Sequence, residues 1–449
     1  MRLLPCVAAF LLAAPALAQT APPPATAAIK ADPAFTERVN QLPGLLSGKV
    51  GYDDYFSPSF KAQVPREKLA PVVAEMNRAG VTGIEKVEPA SPWQGTVTLG
   101  LREAVVTIRL AVDPAPPHQV SGLLIAGSEL RDSAKPPATP EAALAEMRAL
   151  RGSAGYAIAK LGAGKPQLIA GHNADRPYAI GSAFKLVILS ELVRETNAGT
   201  RKWDDLVTLD GSPLPGGGYT MKPKGTQVSL RELATQMISV SDNSATDILL
   251  KTLGREKVEA MMPVLGIADP ARNRPFLSTL DMFKLKGIAK GLEQGSDTRL
   301  LADRYLAQDE AGRRKMLDSE VARLPLLLID ESSFRNKIPK RIDTLEWFES
   351  PNDLVRVMDW LRRNTEGPAG ADARAVLSKN PGLGPDARGR WQWVGYKGGS
   401  EPGVMNMTYL LQAKGGDWYV VTASWNDPAK EVEEGRFAGL IAKATELVP

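Results

Sequence analysis

Cysteine is almost missing from this sequence, and histidine nearly so: one cysteine, Cys6, and two histidines, His118 and His172, in 449 residues. A chain this poor in thiols is not stapled by disulfides and offers no thiolate metal site. A zinc site needs three or four ligands, more than two histidines supply, so no metal and no other cofactor is expected. After a short apolar run at the start, no stretch reaches the roughly 20 residues that cross a bilayer. Lys and Arg total 55 against 51 Asp and Glu, a net charge of +4, and no basic block concentrates it. Nucleic-acid binding rests on a concentrated basic face and is not expected.

What is present is the balance of an ordinary globular protein, with 43% hydrophobic and 24% charged residues. A single core rarely grows past roughly 250–300 residues, so two domains are expected. Residues 1–18 read as a secretory signal: Arg2 gives the positive start, Leu3 to Ala14 the apolar run, and Ala16-Leu17-Ala18 the small-residue cleavage site. The expected product begins at Gln19, is periplasmic or secreted, and keeps no stable membrane anchor. Cys6 precedes most of the apolar run, the wrong place for a lipidated cysteine. Residues 19–31 are Ala/Pro-rich and read as a disordered tether.

A first domain is predicted over 32–130. Leu69, Val72, Val73 and Met76 recur at helical spacing before Gly80. Val106, Ile108, Leu110 and Val112 then alternate with Thr107, Arg109 and Ala111, the period of a half-buried strand. Helices followed by a sheet resemble the cone-shaped nuclear-transport-factor (NTF2) and steroid-isomerase domains, a cystatin-like architecture, and a packing or docking role is expected. The Pro-rich stretch 131–140 reads as a linker to a second domain, 141–449. That domain has strands near both ends and helices between, which implies one sheet assembled from distant parts of the chain.

Three short motifs in the second domain carry chemistry. Ser182-Ala183-Phe184-Lys185 opens an apolar helix. Free N–H groups at a helix start favour developing negative charge, and Lys185 lies one turn on, where a buried amine can lose its proton and serve as a base. Ser241-Asp242-Asn243 falls between two helices; its hydroxyl can relay a proton and its amide can hold a substrate carbonyl. Lys397-Gly398-Gly399-Ser400 ends a predicted strand, Trp391–Lys397. There Lys397 would attract a carboxylate, Gly399 would let a ligand lie flat on the backbone, and the Ser400 N–H would pair with that of Ser182 as an oxyanion hole. Each motif also has a plain structural explanation: an N-cap serine, a capped corner, a bulged edge strand.

In order and context the three motifs resemble the Ser-x-x-Lys, Ser-Asp-Asn and Lys-Thr-Gly set of class A β-lactamases and penicillin-binding proteins. The spacing from Ser182 to Ser241 is close to that of class A enzymes. The resemblance implies an α+β chain, with an NTF2/cystatin-like cone followed by a β-lactamase/transpeptidase-like αβα domain. It further implies a serine hydrolase whose catalytic residues are Ser182, Lys185 and Ser241. Asn243, Lys397, Gly399 and Ser400 would bind a small acyl substrate, either a β-lactam or an ester. The two-domain layout resembles serine hydrolases found beside clavam biosynthesis.

Two departures stand out. The family's Glu-x-x-Leu-Asn loop, whose glutamate activates the deacylating water, is not found. An insertion from about Asn273 to Phe348 stands there instead, up to a helix start at Glu349-Ser350-Pro351-Asn352-Asp353-Leu354. Its acids Asp281, Asp330, Glu331, Asp343 and Glu346 are the candidates for a replacement base. The third motif also lacks the family's hydroxyl, at Gly398. Competing expectations are a penicillin binder or sensor that does not turn over, a D-alanyl peptidase, and a Ser-His-Asp hydrolase using His172. No Gly-x-Ser-x-Gly elbow supports the last.

Overall fold

The computed structural model describes residues 30–102, 104–130, 137–289, 300–330, 332 and 336–449. The expected signal, nearly all of the tether, much of the linker and Glu331 lie outside these residues. Contacts divide the chain into two compact units, separated between Lys135 and Pro136. No helix among the described residues is long and apolar enough to cross a membrane.

The N-terminal unit opens with α1 (Pro33–Leu46), where Asp32 accepts from the Ala34 N–H at 2.8 Å and a proline fills the first helical position. A second long helix, α2 (Arg66–Ala79), stops at left-handed Gly80. Strands β1 (Val81–Ser91), β2 (Gln94–Leu101), β3 (Ala104–Val112) and β4 (Val120–Leu130) then form an antiparallel meander in chain order. On β3 the residues Val106, Ile108, Leu110 and Val112 are buried while Arg109 is exposed, the mark of a sheet with one covered face. Phe35, Val39 and Leu42 of α1 join them in a single core.

In the second unit, α3 (Pro140–Ala149) leads into β5 (Ser153–Leu161) and β6 (Gln167–His172). The sheet is completed from the far end of the chain by β7 (Trp391–Glu401), β8 (Val404–Ala413) and β9 (Trp418–Asn426). The order is β7-β8-β9-β5-β6, antiparallel throughout. Every residue of β8 except Gln412 is buried, so both faces of the sheet are covered. Between the two strand sets run α4 (Lys185–Asn197), α5 (Leu230–Ser239), α6 (Asn243–Leu253), α7 (Arg255–Val264), α8 (Thr279–Gly287) and α9 (Pro351–Asn364). The last helix, α10 (Glu434–Ala444), packs on α3, with Arg436 Nε 2.6 Å from Glu146. Helix α4 is buried on nearly every side from Lys185 to Val193, as a helix in the middle of a large core must be.

The segment 273–348 is closed at its neck by one side chain. Asn273 donates to the Phe348 carbonyl at 2.9 Å and accepts from the Phe348 N–H at 2.8 Å. A buried amide that satisfies both backbone groups of its partner holds two chain ends together without an apolar contact. Just beyond it, Ser350 and Asp353 form a capping box, and Pro351 begins α9.

Candidate active site

Ser182 does not sit in the first α-helical turn. Gly181–Phe184 is a 3₁₀ turn, and the α-helix begins at Lys185. The half-buried Ser182 thus stands just ahead of α4, and Lys185 enters the fully buried helix. The aromatic ring of Phe184 anchors the turn. It stacks on Trp347 with centroids 3.7 Å apart, and the Trp347 carbonyl accepts from the Ile180 N–H at 3.0 Å.

Lys185 Nζ donates to the Ser241 carbonyl at 2.8 Å, the Ser241 Oγ at 3.1 Å and the Asn243 Oδ1 at 2.7 Å. Burial pulls its pKa down to about 7, against the opposing pull of Asp247 and Asp242. Lys397 reaches the same hydroxyl, Nζ to Ser241 Oγ at 3.0 Å, and also donates to the Gly398 carbonyl. Burial and the charge of Lys185 hold Lys397 well below the ordinary lysine range. Two amines therefore flank one serine oxygen. The expectation that Lys397 offers a free charge to a carboxylate is modified here, because its Nζ is tied to Ser241 and to the backbone.

The corner at Ser241 combines both readings of its motif. Asp242 is the N-cap of α6, its carboxylate accepting from the Ala245 N–H at 2.8 Å, which leaves the Asn243 side chain for Lys185. Ser241 has φ 59°, a left-handed conformation that non-glycine residues avoid. Nothing in the local sequence signals this strain, and residues held so tend to cluster where a side chain must be aimed. Asp247, one helical turn past Asn243, was also missed. It accepts from the Thr279 and Leu280 N–H groups at 2.8 and 2.9 Å, and burial raises its pKa to about 7. Its i+4 spacing from Asn243 was the available signal.

Strand β7 does not end at Lys397 but runs on to Glu401, so the third motif lies within it. The reason is register: Lys397, Gly398, Gly399 and Ser400 pair without a break with Thr408, Met407, Asn406 and Met405 of β8. Gly399 packs directly on the nucleophile turn. A Cβ there would overlap the Ile180 carbonyl oxygen and lie 2.5 Å from the Ser182 N. A Cβ on Gly181 would lie 3.0 Å from the Ser400 N, so the amides of Ser182 and Ser400 border one junction. Gly399→Ala is expected to cost about 1–3 kcal/mol, the usual penalty of overpacking. Urea unfolding checks this, and an unchanged midpoint would mean that strand and turn part freely. At Gly398 the room for a side chain is already taken. A Cβ would overlap the Tyr396 hydroxyl, with ring carbon Cζ at 2.9 Å.

The candidate replacement bases fare less well. Asp281 caps α8 and pairs with Arg255 at 2.9 Å. Asp330 and Asp343 are exposed. Glu346 is buried against Lys286 at 2.5 Å, and Lys286 also holds Glu401 at 2.6 Å. His172 lies on β6, the opposite edge of the sheet from β7, where its ring contacts Asn173 at 3.1 Å. That placement removes the support for a Ser-His-Asp arrangement with the β7 motif.

The model of the Beta-lactamase enzyme family matches residues 141–379, just over half of the chain. Among solved structures the chain is similar to a β-lactamase from Sphaerobacter thermophilus DSM 20745, at 22% identity over 69% of this chain and 97% of that one, with a TM-score of 0.45. A β-lactamase from Chitinophaga pinensis DSM 2588 is similar at 16% identity over 69% and 98%, TM-score 0.45. PBP-A is similar at 15% identity over 70% and 97%, TM-score 0.45. No curated protein matches the sequence. The family match spans the Ser-x-x-Lys turn and the Ser-Asp-Asn corner, and the chain belongs to the β-lactamase enzyme family.

Proposed function

We propose that this protein is an exported serine hydrolase that works through an acyl-enzyme at Ser182. The observation that carries the reading is the network joining Lys185, Ser241, Asn243 and Lys397 one turn from Ser182. In the neutral form, Lys185 takes the Ser182 proton as Oγ attacks the acyl carbon. The amides of Ser182 and Ser400 stabilise the oxyanion. Ser241, held between two amines, passes the proton to the leaving group, and Asn243 orients the substrate while it holds Lys185. The substrate is a small acyl compound, an ester or a β-lactam. Cleavage after Ala18 delivers the protein to the periplasm or medium, and an exported form whose N-terminal sequence does not begin at Gln19 would refute this. We assign the N-terminal unit, with helices ahead of a four-stranded meander, to the NTF2-like cone architecture in a docking role.

Deacylation is the slow step of this scheme. The described acids of segment 273–348 are capping, exposed or paired with a lysine or arginine, so none stands as a ready base for an ester on Ser182. A small acyl group leaves room for a water activated by Lys185, whereas a bulky lactam adduct fills it. We therefore expect faster steady-state turnover of small chromogenic esters than of penicillins, with a burst on the β-lactam. Rapid penicillin hydrolysis without a burst would remove deacylation as the limit. The same observation favours a second reading, a penicillin binder that acylates and stays acylated. Slow release from both substrate classes would select it.

A further inference from the structure

The segment between Asn273 and Phe348 borders a half-open cavity of about 30 Å³ whose lining includes Arg272, Arg274, Arg313, Tyr305, Glu346 and Trp347. Three arginines therefore line one small space, and none of them is paired with a carboxylate among the described residues. The side chain of Arg274 makes no hydrogen bond to a described residue. Its Nε and that of Arg313 are both buried without a partner. Arg313 keeps one bond, to the Leu306 carbonyl at 3.0 Å, and its guanidinium carbon lies 5.5 Å from the Tyr305 ring centroid. Arg272 lies over the Phe348 ring at 4.0 Å. Aromatic faces and a carbonyl thus hold Arg272 and Arg313 in place and leave their charge uncancelled, and Arg274 has no such support.

Glu346 is the one carboxylate of the lining, and its charge is already matched by Lys286 at 2.5 Å. Glu401 shares that lysine, and burial beside Glu346 raises its pKa well above the carboxylate range, so this buried trio carries no net charge to spare. Gathering three unmatched cations around a half-enclosed space is unfavourable on its own. An oxyanion relieves the repulsion and accepts from several donors at once, and the planar forks of arginine fit phosphate and carboxylate oxygens in pairs. At about 30 Å³ the space is well below that of ordinary ligand pockets, so it admits only the charged head of a small molecule.

We propose that this cavity is a second binding site, taking a small molecule through a phosphate or carboxylate group and distinct from the Ser182 centre. Its wall touches that centre: Trp347 lines the cavity and stacks on Phe184 of the nucleophile turn.

The test uses the mature full-length protein. Thermal unfolding and calorimetric titration are run with inorganic phosphate, with succinate, and with sodium chloride at matched ionic strength. Saturable binding and a rise in Tm with phosphate, succinate or both, beyond chloride, is expected, since a ligand bound only to the folded state stabilises it by mass action. Whichever anion binds identifies the oxygen chemistry preferred. Arg274→Gln and Arg313→Gln are each expected to weaken binding at least about tenfold, and Arg313→Lys should not restore it, because an ammonium lacks the planar fork. Should either glutamine variant fail to fold, exposed Arg272→Gln gives the same readout. Stabilisation no greater than chloride, or unchanged in the variants, overturns the proposal. Because the readout is binding, that failure leaves the Ser182 assignment untouched.

Discussion

Ser182→Ala is expected to abolish covalent labelling by a penicillin or a fluorophosphonate, read as the intact mass of the protein after incubation. The loss should be complete, because among the described residues no other serine combines partial exposure, a 3₁₀ turn ahead of a buried helix and a buried amine one turn on. Ser241 is the rival. Its Oγ lies 3.1 Å from Lys185 Nζ and 3.0 Å from Lys397 Nζ, which would also activate a nucleophile. What separates them is the oxyanion site. Gly399 presses on the Ser182 amide, and the Ser400 amide borders the same junction. Ser241→Ala should therefore still label, at a reduced rate. A mass adduct that survives Ser182→Ala and maps to Ser241 would reverse the two roles.

Lys185→Ala is expected to slow acylation by at least about 100-fold, the lower end for a positioned general base. Arginine should not rescue it, since a guanidinium stays protonated throughout the working range. The sign of the pH dependence follows from the direction of the shift. Burial lowers the Lys185 pKa to about 7, so the amine is protonated and inert below that value and free above it. Acylation should rise about tenfold per pH unit on the acid side and level off above neutrality. Lys397 titrates beside it, with its own pKa held low by burial and by Lys185. The acid limb thus belongs to the pair and should change shape in a Lys397→Ala variant. Near-normal acylation by Lys185→Arg, with no acid limb, would remove Lys185 as the base.

Local patterns were legible in the sequence wherever one residue's neighbours in the chain are also its neighbours in space. Ser182 and Lys185 three apart, a cap at Asp242 or Asn243 and the alternation through Val106 to Val112 all depend on short-range geometry, and Asp242 proved to be the cap. The start of α9 at Ser350 was readable from its resemblance to the family's helix start, and a capping box and a proline produce it. What could not be read depends on contacts across the sheet and the core. The extension of β7 to Glu401 comes from pairing with β8, which outweighs the weak strand preference of two glycines. The left-handed backbone at 241 falls on a serine, neither a glycine nor an asparagine that would announce it. The trio of Lys286, Glu346 and Glu401 joins three distant parts of the chain, and no spacing rule connects them.

The Tyr396 hydroxyl lies where a side chain on residue 398 would begin, and this constrains how the third motif can change over generations. Threonine at 398 would arrive in space the Tyr396 hydroxyl now occupies, so the two positions are coupled. Phenylalanine at 396 would clear the hydroxyl and keep the ring that stacks on Tyr409 at a centroid distance of 4.7 Å. Directed evolution of this chain toward the Lys-Thr-Gly form should therefore start from libraries that vary 396 and 398 together.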